Sequence, residues 1–317
     1  MKIRDVLLIT GCLFLSSCLG YKTPPVNTRE DLLKLDSSTT WIRGRGLSDD
    51  AILVLARIEN AEFLDLCGGY AVEPLALTDK GFKNLLSISD NIPNLNRLEL
   101  CDCNPDITDI TALYIAKMPH LRNLSVMGCP GFTDEALEYL ANSTSIETIF
   151  LARCDGITNE GFKYLDKNES IKGIRLENFS QSQINNVGLR YILAIPNLRD
   201  LAFVPMPFLD SDSARLLAES KHLKKLAFYQ NRLPLDNNIL EILSESDSIE
   251  ELALNINNPI STEELSVLPK FRTLKKLHIS NVPKDDISYL KGIFKAMPLC
   301  EIECTDKEGV YIYESHP

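Results

Sequence analysis

The sequence predicts an α/β solenoid, a horseshoe with a parallel β-sheet on its concave face and α-helices on its convex face. An apolar motif of the form L-x-x-L-x-L recurs along the chain, and each copy is followed by a turn signal and by apolar residues at helical spacing. The central apolar residues of the motif stand at positions 98, 124, 149, 174, 201, 226, 252 and 277, so successive copies lie 25 to 27 residues apart. A period of this length is typical of a repeat array, in which each unit buries its apolar side only against its neighbours.

Each unit is expected to run from a strand through a turn into a helix. After the strand around Leu98 comes Thr108-Asp109, and after the strand around Leu124 comes Thr133-Asp134. Threonine and aspartate at these places can cap the N-terminus of the helix that follows. Proline, as at Pro119, then ends a helix before the next strand.

The two ends of the array are expected to be atypical. Residues 41–43 predict an opening strand, and residues 48–57 predict a helix after it. The last unit is expected to run through Leu299, Ile302 and Cys304 and to be followed by a polar tail.

One unit is longer than the others. From Leu64 to Leu98 the chain advances 34 residues, about eight more than the period, and part of the excess falls in the loop at Gly68-Gly69-Tyr70. Such an insertion is either a contact point for a partner or a harmless variation in length.

Several units share a residue type at the fifth position after the central apolar residue. Cysteine or asparagine stands there in five units: Cys103, Cys129, Cys154, Asn231 and Asn257. This is the Asn/Cys position of the leucine-rich-repeat consensus. Residues 45–304 therefore resemble cysteine-containing leucine-rich repeats, similar to the repeat region of F-box-type ubiquitin-ligase adapters. Three units depart from the pattern: Phe179, Met206 and Val282. No F-box is recognisable ahead of the repeats, so ubiquitin-ligase function is not carried over.

The N-terminal residues 1–17 predict an export signal. Lys2 and Arg4 form a short basic head, and residues 6–15 form an apolar run of ten residues. That run is too short for a transmembrane helix, which needs about 20 apolar residues, and it fits a secretory signal. A plain cleaved signal and a buried N-terminal helix of a cytosolic protein are the alternatives.

The end of this segment, Leu15-Ser16-Ser17-Cys18, resembles the lipobox of bacterial lipoproteins. The resemblance implies cleavage before Cys18 and lipidation of its sulfur, with acyl chains such as palmitate holding the protein at a membrane. Leu19 follows the cysteine where an inner-membrane lipoprotein commonly has aspartate, which favours the outer membrane. Residues 18–38 are then a lipid-anchored tether, and residues 39–317 form the leucine-rich-repeat domain.

Composition and spacing argue against several kinds of chemistry. The formal net charge of -11 disfavours nucleic acid as a partner. The four histidines show no metal-ligand spacing, and the pair Cys101 and Cys103 has no second pair to complete a zinc site. Cysteines at the repeat position are expected to be small buried apolar residues. We therefore expect no catalysis, no metal, no cofactor and no small-molecule substrate.

Two strand positions are expected to face away from the helices and to form columns across the sheet. The column just after the central residue reads Asp65, Glu99, Ser125, Phe150, Arg175, Ala202, Ala227, Ala253 and His278. The column two residues further on reads Cys67, Cys101, Met127, Ala152, Glu177, Val204, Tyr229, Asn255 and Ser280. Apolar groups among small residues in these columns suggest a contact patch, with charged and aromatic anchors beside it. The predicted partner-binding residues are Met127, Phe150, Arg175, Arg199, Val204, Lys225 and Tyr229. The alternative is that neighbouring side chains cover these positions.

Together these patterns predict a lipid-anchored cell-envelope protein that binds another protein through its concave face. A structural scaffold of the envelope and an intracellular substrate adapter of the F-box type are the alternatives. The adapter predicts an unprocessed N-terminus.

Overall fold

The computed structural model describes residues 25–68, 76–206, 209–231, 237–256, 265–282, 287–306 and 310–315. The chain divides into two compact units. The described part of the N-terminal unit covers residues 25–174 and 182–197, and that of the C-terminal unit covers residues 175–181 and 198–315. The predicted signal, Cys18 and most of the inserted loop, residues 69–75, lie outside the described residues.

Parallel strands in chain order form the sheet of the N-terminal unit. They are β1 (Trp41–Gly44), β2 (Phe63–Cys67), β3 (Arg97–Cys101), β4 (Asn123–Met127) and β5 (Thr148–Ala152). The central residues of the motif pair in register, so that Leu98 aligns with Leu64 on one side and with Leu124 on the other. The next strand, β6 (Gly173–Glu177), begins in this unit.

One helix of the N-terminal unit precedes β1, and the others follow strands. These helices are α1 (Arg29–Lys34), α2 (Asp79–Ser87), α3 (Asp109–Ile115), α4 (Asp134–Leu140), α5 (Asn159–Phe162) and α6 (Asn186–Leu193). The threonines predicted as caps stand at N-cap positions: the Thr108 hydroxyl accepts from the Ile110 N–H, and that of Thr133 accepts from the Glu135 N–H. Such caps satisfy backbone N–H groups that the first helical turn leaves without partners.

The C-terminal unit repeats the same alternation. Its strands are β7 (Asp200–Val204), β8 (Lys225–Asn231), β9 (Glu251–Ile256), β10 (Lys276–Ser280), β11 (Glu301–Thr305) and β12 (Tyr311–Ser315). Its helices are α7 (Ser211–Glu219), α8 (Asn237–Leu243) and α9 (Ile287–Phe294). Strands β7 to β11 are parallel to their neighbours in chain order.

The first repeat differs in part from its prediction. The opening strand is confirmed as β1, but the helix expected over residues 48–57 is a 3-10 helix over Ala51–Arg57. Val26 bridges to Gly44, and a capping box at Thr28 starts α1, whose Leu32 is fully buried. The segment predicted as a tether therefore contains folded chain from Val26 onwards.

The last repeat also differs from its prediction. Ile302 and Cys304 lie on β11, but the tail is not simply polar chain, because β12 pairs antiparallel with β11. This strand covers the outer edge of β11, whose backbone groups would otherwise be open to pairing with another chain.

The interior of each unit is filled by the residues that the motif predicts. Leu98 and Leu100 on β3 are fully buried, as are Phe82 and Phe132 in the segments between strands. In the C-terminal unit the Phe203 and Phe228 rings stack with their centroids 6.3 Å apart. Parallel strands alternating with helices around such a core confirm the predicted α/β leucine-rich-repeat solenoid. No helix within the described ranges is both long enough and apolar enough to cross a membrane.

Candidate binding surface

The outer face of the sheet, defined here as the face opposite the core leucines, carries the two predicted columns. Strand residues alternate between faces, so side chains next to the central leucines lie on this face. Neighbouring strands are about 4.8 Å apart, which brings side chains of one column into contact.

The predicted apolar contact residues lie on strands but are more buried than expected. Met127 and Phe150 are 8% and 7% exposed, and Val204 and Tyr229 are 2% and 3% exposed. The expectation that these groups face solvent is therefore wrong. Val204 and Tyr229 are covered because they pack with Ala253, Ala202 and Ala227 in one cluster. Their role in partner binding stays a prediction.

The predicted charged residues take different positions. The Arg175 guanidinium lies over the Tyr229 ring, 5.2 Å from its centroid, and forms an ion pair with Glu177 at 3.6 Å. Lys225 is exposed over 44% of its side chain and contacts Glu251 at 3.1 Å. Arg199 is exposed at the start of the repeat that contains β7. The structure thus brings Arg175 and Tyr229 together within the C-terminal unit.

Three alanines lie side by side on this face in the C-terminal unit. Ala202, Ala227 and Ala253 are direct register partners on β7, β8 and β9. Ala202 and Ala227 are partly exposed and pack against a buried cluster that contains Val204, Tyr229 and Ala253. Alanine has no side chain beyond Cβ, so the partly exposed Ala202 and Ala227 leave room above them for larger side chains, whereas Ala253 is only 2% exposed. We call these three residues the alanine strip.

A row of charges borders the alanine strip on the side where the strands begin. Asp200, Lys225 and Glu251 are register partners on the same three strands. Burial raises the pKa of the Asp200 carboxyl, while the Lys225 ammonium lowers it. An apolar floor with a charged border has the anatomy of a protein interface, in which an apolar centre is surrounded by polar groups.

A second group of side chains on the outer face lies in the N-terminal unit. Asp65 pairs in register with Glu99, and Cys67 pairs with Cys101, on β2 and β3. All four residues are buried, with 1 to 6% exposure. The Cys67 thiol donates to Asp65 Oδ1 at 2.8 Å, and the Cys101 Sγ lies 3.8 Å from Glu99 Oε1.

The surroundings of these four side chains disfavour their negatively charged forms. Burial raises the pKa of Glu99 to about 7, and the neighbouring Asp65 carboxylate adds to the effect while Arg97 and Arg43 oppose it. Burial also raises the pKa of Asp65. A hydrogen bond with Cys101 and burial raise the pKa of the Cys67 thiol. The carboxylates are balanced by ion pairs of Asp65 with Arg43 at 3.5 Å and of Glu99 with Arg97 at 3.6 Å.

The sequence columns contain this group, since Asp65 and Glu99 stand in one column and Cys67 and Cys101 in the next. The sequence alone does not single out this group, because acidic residues are abundant in a chain of net charge -11 and are mostly exposed in proteins. One sequence signal could have revealed the group: two consecutive repeats each carry a carboxylate in the first column and a thiol in the second.

The cysteines of the repeat position are buried, as expected, but two of them are bonded. Cys103 and Cys129 form a disulfide across adjacent repeats, with their Cα atoms 4.7 Å apart. Cys154 is a free thiol with no exposed surface, and it donates to the Ala152 carbonyl at 3.4 Å. At the departing positions Phe179, Met206 and Val282 are buried as well.

Comparison with protein-family profiles finds no match for this chain, and comparison with curated protein sequences finds none either. Among solved structures, the chain is similar over 98% of its length to a chain from the Rad7 and Elc1 complex of yeast, with a TM-score of 0.51 and 18% identity over 88% of that chain. It is also similar to a protein from Bacteroides fragilis, with a TM-score of 0.46 and 14% identity over 84% of this chain and 70% of the other.

A chain from the complex of TLR13 with the single-stranded RNA ssRNA13 is similar too, with a TM-score of 0.43 and 14% identity. The match covers 87% of this chain but only 48% of that one, about half of its length. At these identities the Rad7–Elc1 likeness supports the fold alone.

Proposed function

We propose that this chain is a lipid-anchored protein of a bacterial cell envelope and that it binds another protein through the outer face of its sheet. The observation that carries the binding part is the alanine strip, with its in-register Ala202, Ala227 and Ala253. Repeat solenoids use extended sheet surfaces of this kind for binding. The solved chain of similar fold from yeast comes from a complex of two proteins, which is consistent with the proposal.

The strip supports a protein partner because of its chemistry. It offers an apolar floor, a buried Val204 and Tyr229 next to it and a border of both charge signs, whereas the chain's net charge of -11 repels a polyanion. The exposed Lys225 and the Arg175–Tyr229 pair supply polar and aromatic groups at its edges. Partner side chains of moderate size would lie over the alanines.

Site-specific photocrosslinking in the native host tests the surface. A photoreactive amino acid at Ala227 or Ala202 should give an adduct with one defined protein, and the same amino acid at the exposed Ala296 on the C-terminal side of α9 should not. The substitution Ala227→Glu should remove the adduct formed from position 202, while Ala296→Glu should leave it. Identical adducts from positions 202 and 296, or no adduct from either strip position, would show that the surface is wrong.

The anchoring part of the proposal is supported by the sequence Leu15-Ser16-Ser17-Cys18 and by the basic head and apolar run that precede it. The Cys103–Cys129 disulfide is consistent with export, since disulfides persist mainly in oxidising compartments. Proposed localisation is the outer membrane, where the host has one.

Labelling with a palmitate analogue, followed by membrane fractionation and protease shaving of intact cells, tests the anchor. Cys18→Ala should abolish labelling and release the chain from the membrane, whereas Cys12→Ala, within the apolar run, should do neither. A mature chain that begins at Met1 would instead favour an intracellular adapter. An anchored chain with no crosslinked partner, whose deletion weakens the envelope, would favour a structural scaffold.

A further inference from the structure

Three potential metal ligands converge on the outer face of the N-terminal unit, and the Asp65 carboxylate lies beside one of them. The ligand atoms of Cys67, Glu99 and Cys101 all lie within 4.8 Å of one another, and Asp65 Oδ1 is 2.8 Å from the Cys67 sulfur. Parallel register is the cause, because it places Cys67 opposite Cys101 and Asp65 opposite Glu99 on adjacent strands. All three converging residues are buried.

We propose that Cys67, Cys101 and Glu99 bind a zinc ion, with Asp65 available as the fourth ligand. Tetrahedral zinc has Zn–S distances of about 2.3 Å and Zn–O distances of about 2.0–2.2 Å, so its ligand atoms lie roughly 3.3–3.8 Å apart. A cluster already gathered within 4.8 Å reaches that geometry by small side-chain adjustments. Two thiolates favour zinc over magnesium or calcium, which prefer oxygen ligands.

The charges of the surrounding side chains are compatible with a bound zinc ion. With neutral thiols, the carboxylates of Asp65 and Glu99 are matched by the guanidiniums of Arg43 and Arg97. Binding of one Zn²⁺ releases one proton from each thiol to solvent, so two positive charges replace two others and the net charge of the site is unchanged. The zinc–sulfur bonds that form replace two S–H bonds, and no oxidation takes place.

The distances between the charged groups also favour a bound cation at this site. Buried carboxylates and thiols without a cation among them are costly, and their guanidinium partners lie at 3.5 and 3.6 Å, beyond good hydrogen-bond distance. A bound cation would offset the mutual repulsion of the carboxylates and would draw the sulfurs towards one centre.

Zinc titration of the full chain tests the proposal. The chain is purified in detergent with a phosphine reductant, stripped of metal by a chelator and titrated with zinc sulfate. At pH 8, above the Glu99 pKa of about 7, we expect about one ion bound per chain and about two protons released per ion, because both thiols ionise. Cobalt(II) at the same site should produce a thiolate-to-cobalt charge-transfer band in the near ultraviolet.

Two double variants provide a matched comparison. Cys67→Ser/Cys101→Ser should lose the stoichiometric ion and the cobalt band. Cys103→Ser/Cys129→Ser, which also removes two cysteines from adjacent repeats, should keep both. Glu99→Gln should weaken zinc affinity by about tenfold or more, the range seen when groups that support a metal site are removed.

Alkylation mapping of the unmodified chain keeps the test independent of how the variants fold. Zinc should protect Cys67 and Cys101 from iodoacetamide and leave the labelling of the other cysteines unchanged. Protection of a different pair, or of none, would overturn the proposal. So would a Cys67–Cys101 disulfide in chain isolated without reductant, because that bond leaves no thiols for a metal.

Discussion

Asp109 accepts two hydrogen bonds from Thr133 in the next repeat, one from the backbone N–H and one from the hydroxyl, both at 2.8 Å. Asp109 is the first residue of α3, and Thr133 is the N-cap of α4. The carboxylate at the start of one helix therefore holds the cap of the following helix. The same relationship joins Asp79 to Thr108 and Asp134 to Thr158, so it runs through the N-terminal unit as a ladder.

The first prediction concerns this ladder. Asp109→Ala should lower the free energy of unfolding by about 2–3 kcal/mol, because two charge-assisted hydrogen bonds are lost and a partly buried N–H is left without its partner. Glu138→Ala, an exposed acidic residue on α4, should change it by less than about 0.5 kcal/mol. A double-mutant cycle with Thr133→Val measures the coupling by chemical denaturation, and independent effects of the two substitutions would contradict the assignment.

The second prediction concerns a close backbone approach at Gly131. A Cβ there would clash with the Ile107 carbonyl oxygen and lie 3.2 Å from the Ile107 carbonyl carbon, both backbone atoms that cannot move aside cheaply. Gly131→Ala should destabilise the fold by about 1–3 kcal/mol. Gly292→Ala, in α9, should instead stabilise it by up to about 1 kcal/mol, because among the described residues nothing beyond its chain neighbours and its own helix backbone lies within 4 Å of the new Cβ. Opposite signs in thermal unfolding are the expected result, and equal effects would refute the steric argument.

The third prediction concerns the Cys103–Cys129 disulfide, which closes a loop with a sequence separation of 26 residues. Its reduction should lower the free energy of unfolding by about 2–4 kcal/mol, since the cross-link restricts the unfolded chain. Reductant should have no further effect on a Cys103→Ala/Cys129→Ala variant. Peptide mapping without reductant identifies the bond directly, and a different pairing would contradict the structure.

The fourth prediction concerns the pH dependence of stability in the metal-free chain. The pKa of Glu99 is raised from 4.5 to about 7 by burial and by Asp65, against the opposing effects of Arg97, Cys101 and Arg43. Between these values the folded state holds a proton that the unfolded state has lost, so this residue's contribution to stability is present below pH 4.5 and declines as pH rises towards 7. The decline amounts to about 3 kcal/mol as an order of magnitude.

The variant Glu99→Gln should remove that decline. It should match the wild type near pH 4.5 and exceed its stability at pH 8, as measured by denaturant unfolding across this range. Glu138→Gln, at an exposed position, should follow the wild-type curve. A Glu99→Gln curve parallel to the wild type at all pH values would show that Glu99 does not titrate in this window.

Much of the fold followed from periodicity. The spacing of the central apolar residues located β3 to β10, and Thr108 and Thr133 located the starts of two helices. The alternation of strand side chains also predicted which residues share the outer face. These features are local, because they depend on residue type and on spacing within one or two repeats.

The burial and contacts of the candidate surfaces could be predicted from the sequence only in part. Tyr229 and Phe150 were placed on the correct strands, but their burial depends on how neighbouring columns pack. The strand β12 was missed because it has only one short segment and no repeat to define it. The contact between the Arg175 guanidinium and the Tyr229 ring depends on side-chain conformation, which spacing does not specify.

The sequence by itself determined the repeating unit, its period and the column in which each strand residue stands, because apolar and polar residues recur at fixed intervals. Only the tertiary structure decided which columns meet and how deeply they are buried. Cys67 and Cys101 are separated by 34 residues and an inserted loop, yet register on adjacent strands brings their sulfurs within 4.8 Å. Interstrand register arises from hydrogen bonding and packing across the whole sheet. It places residues of two columns next to one another, and there they form a cluster of potential ligands.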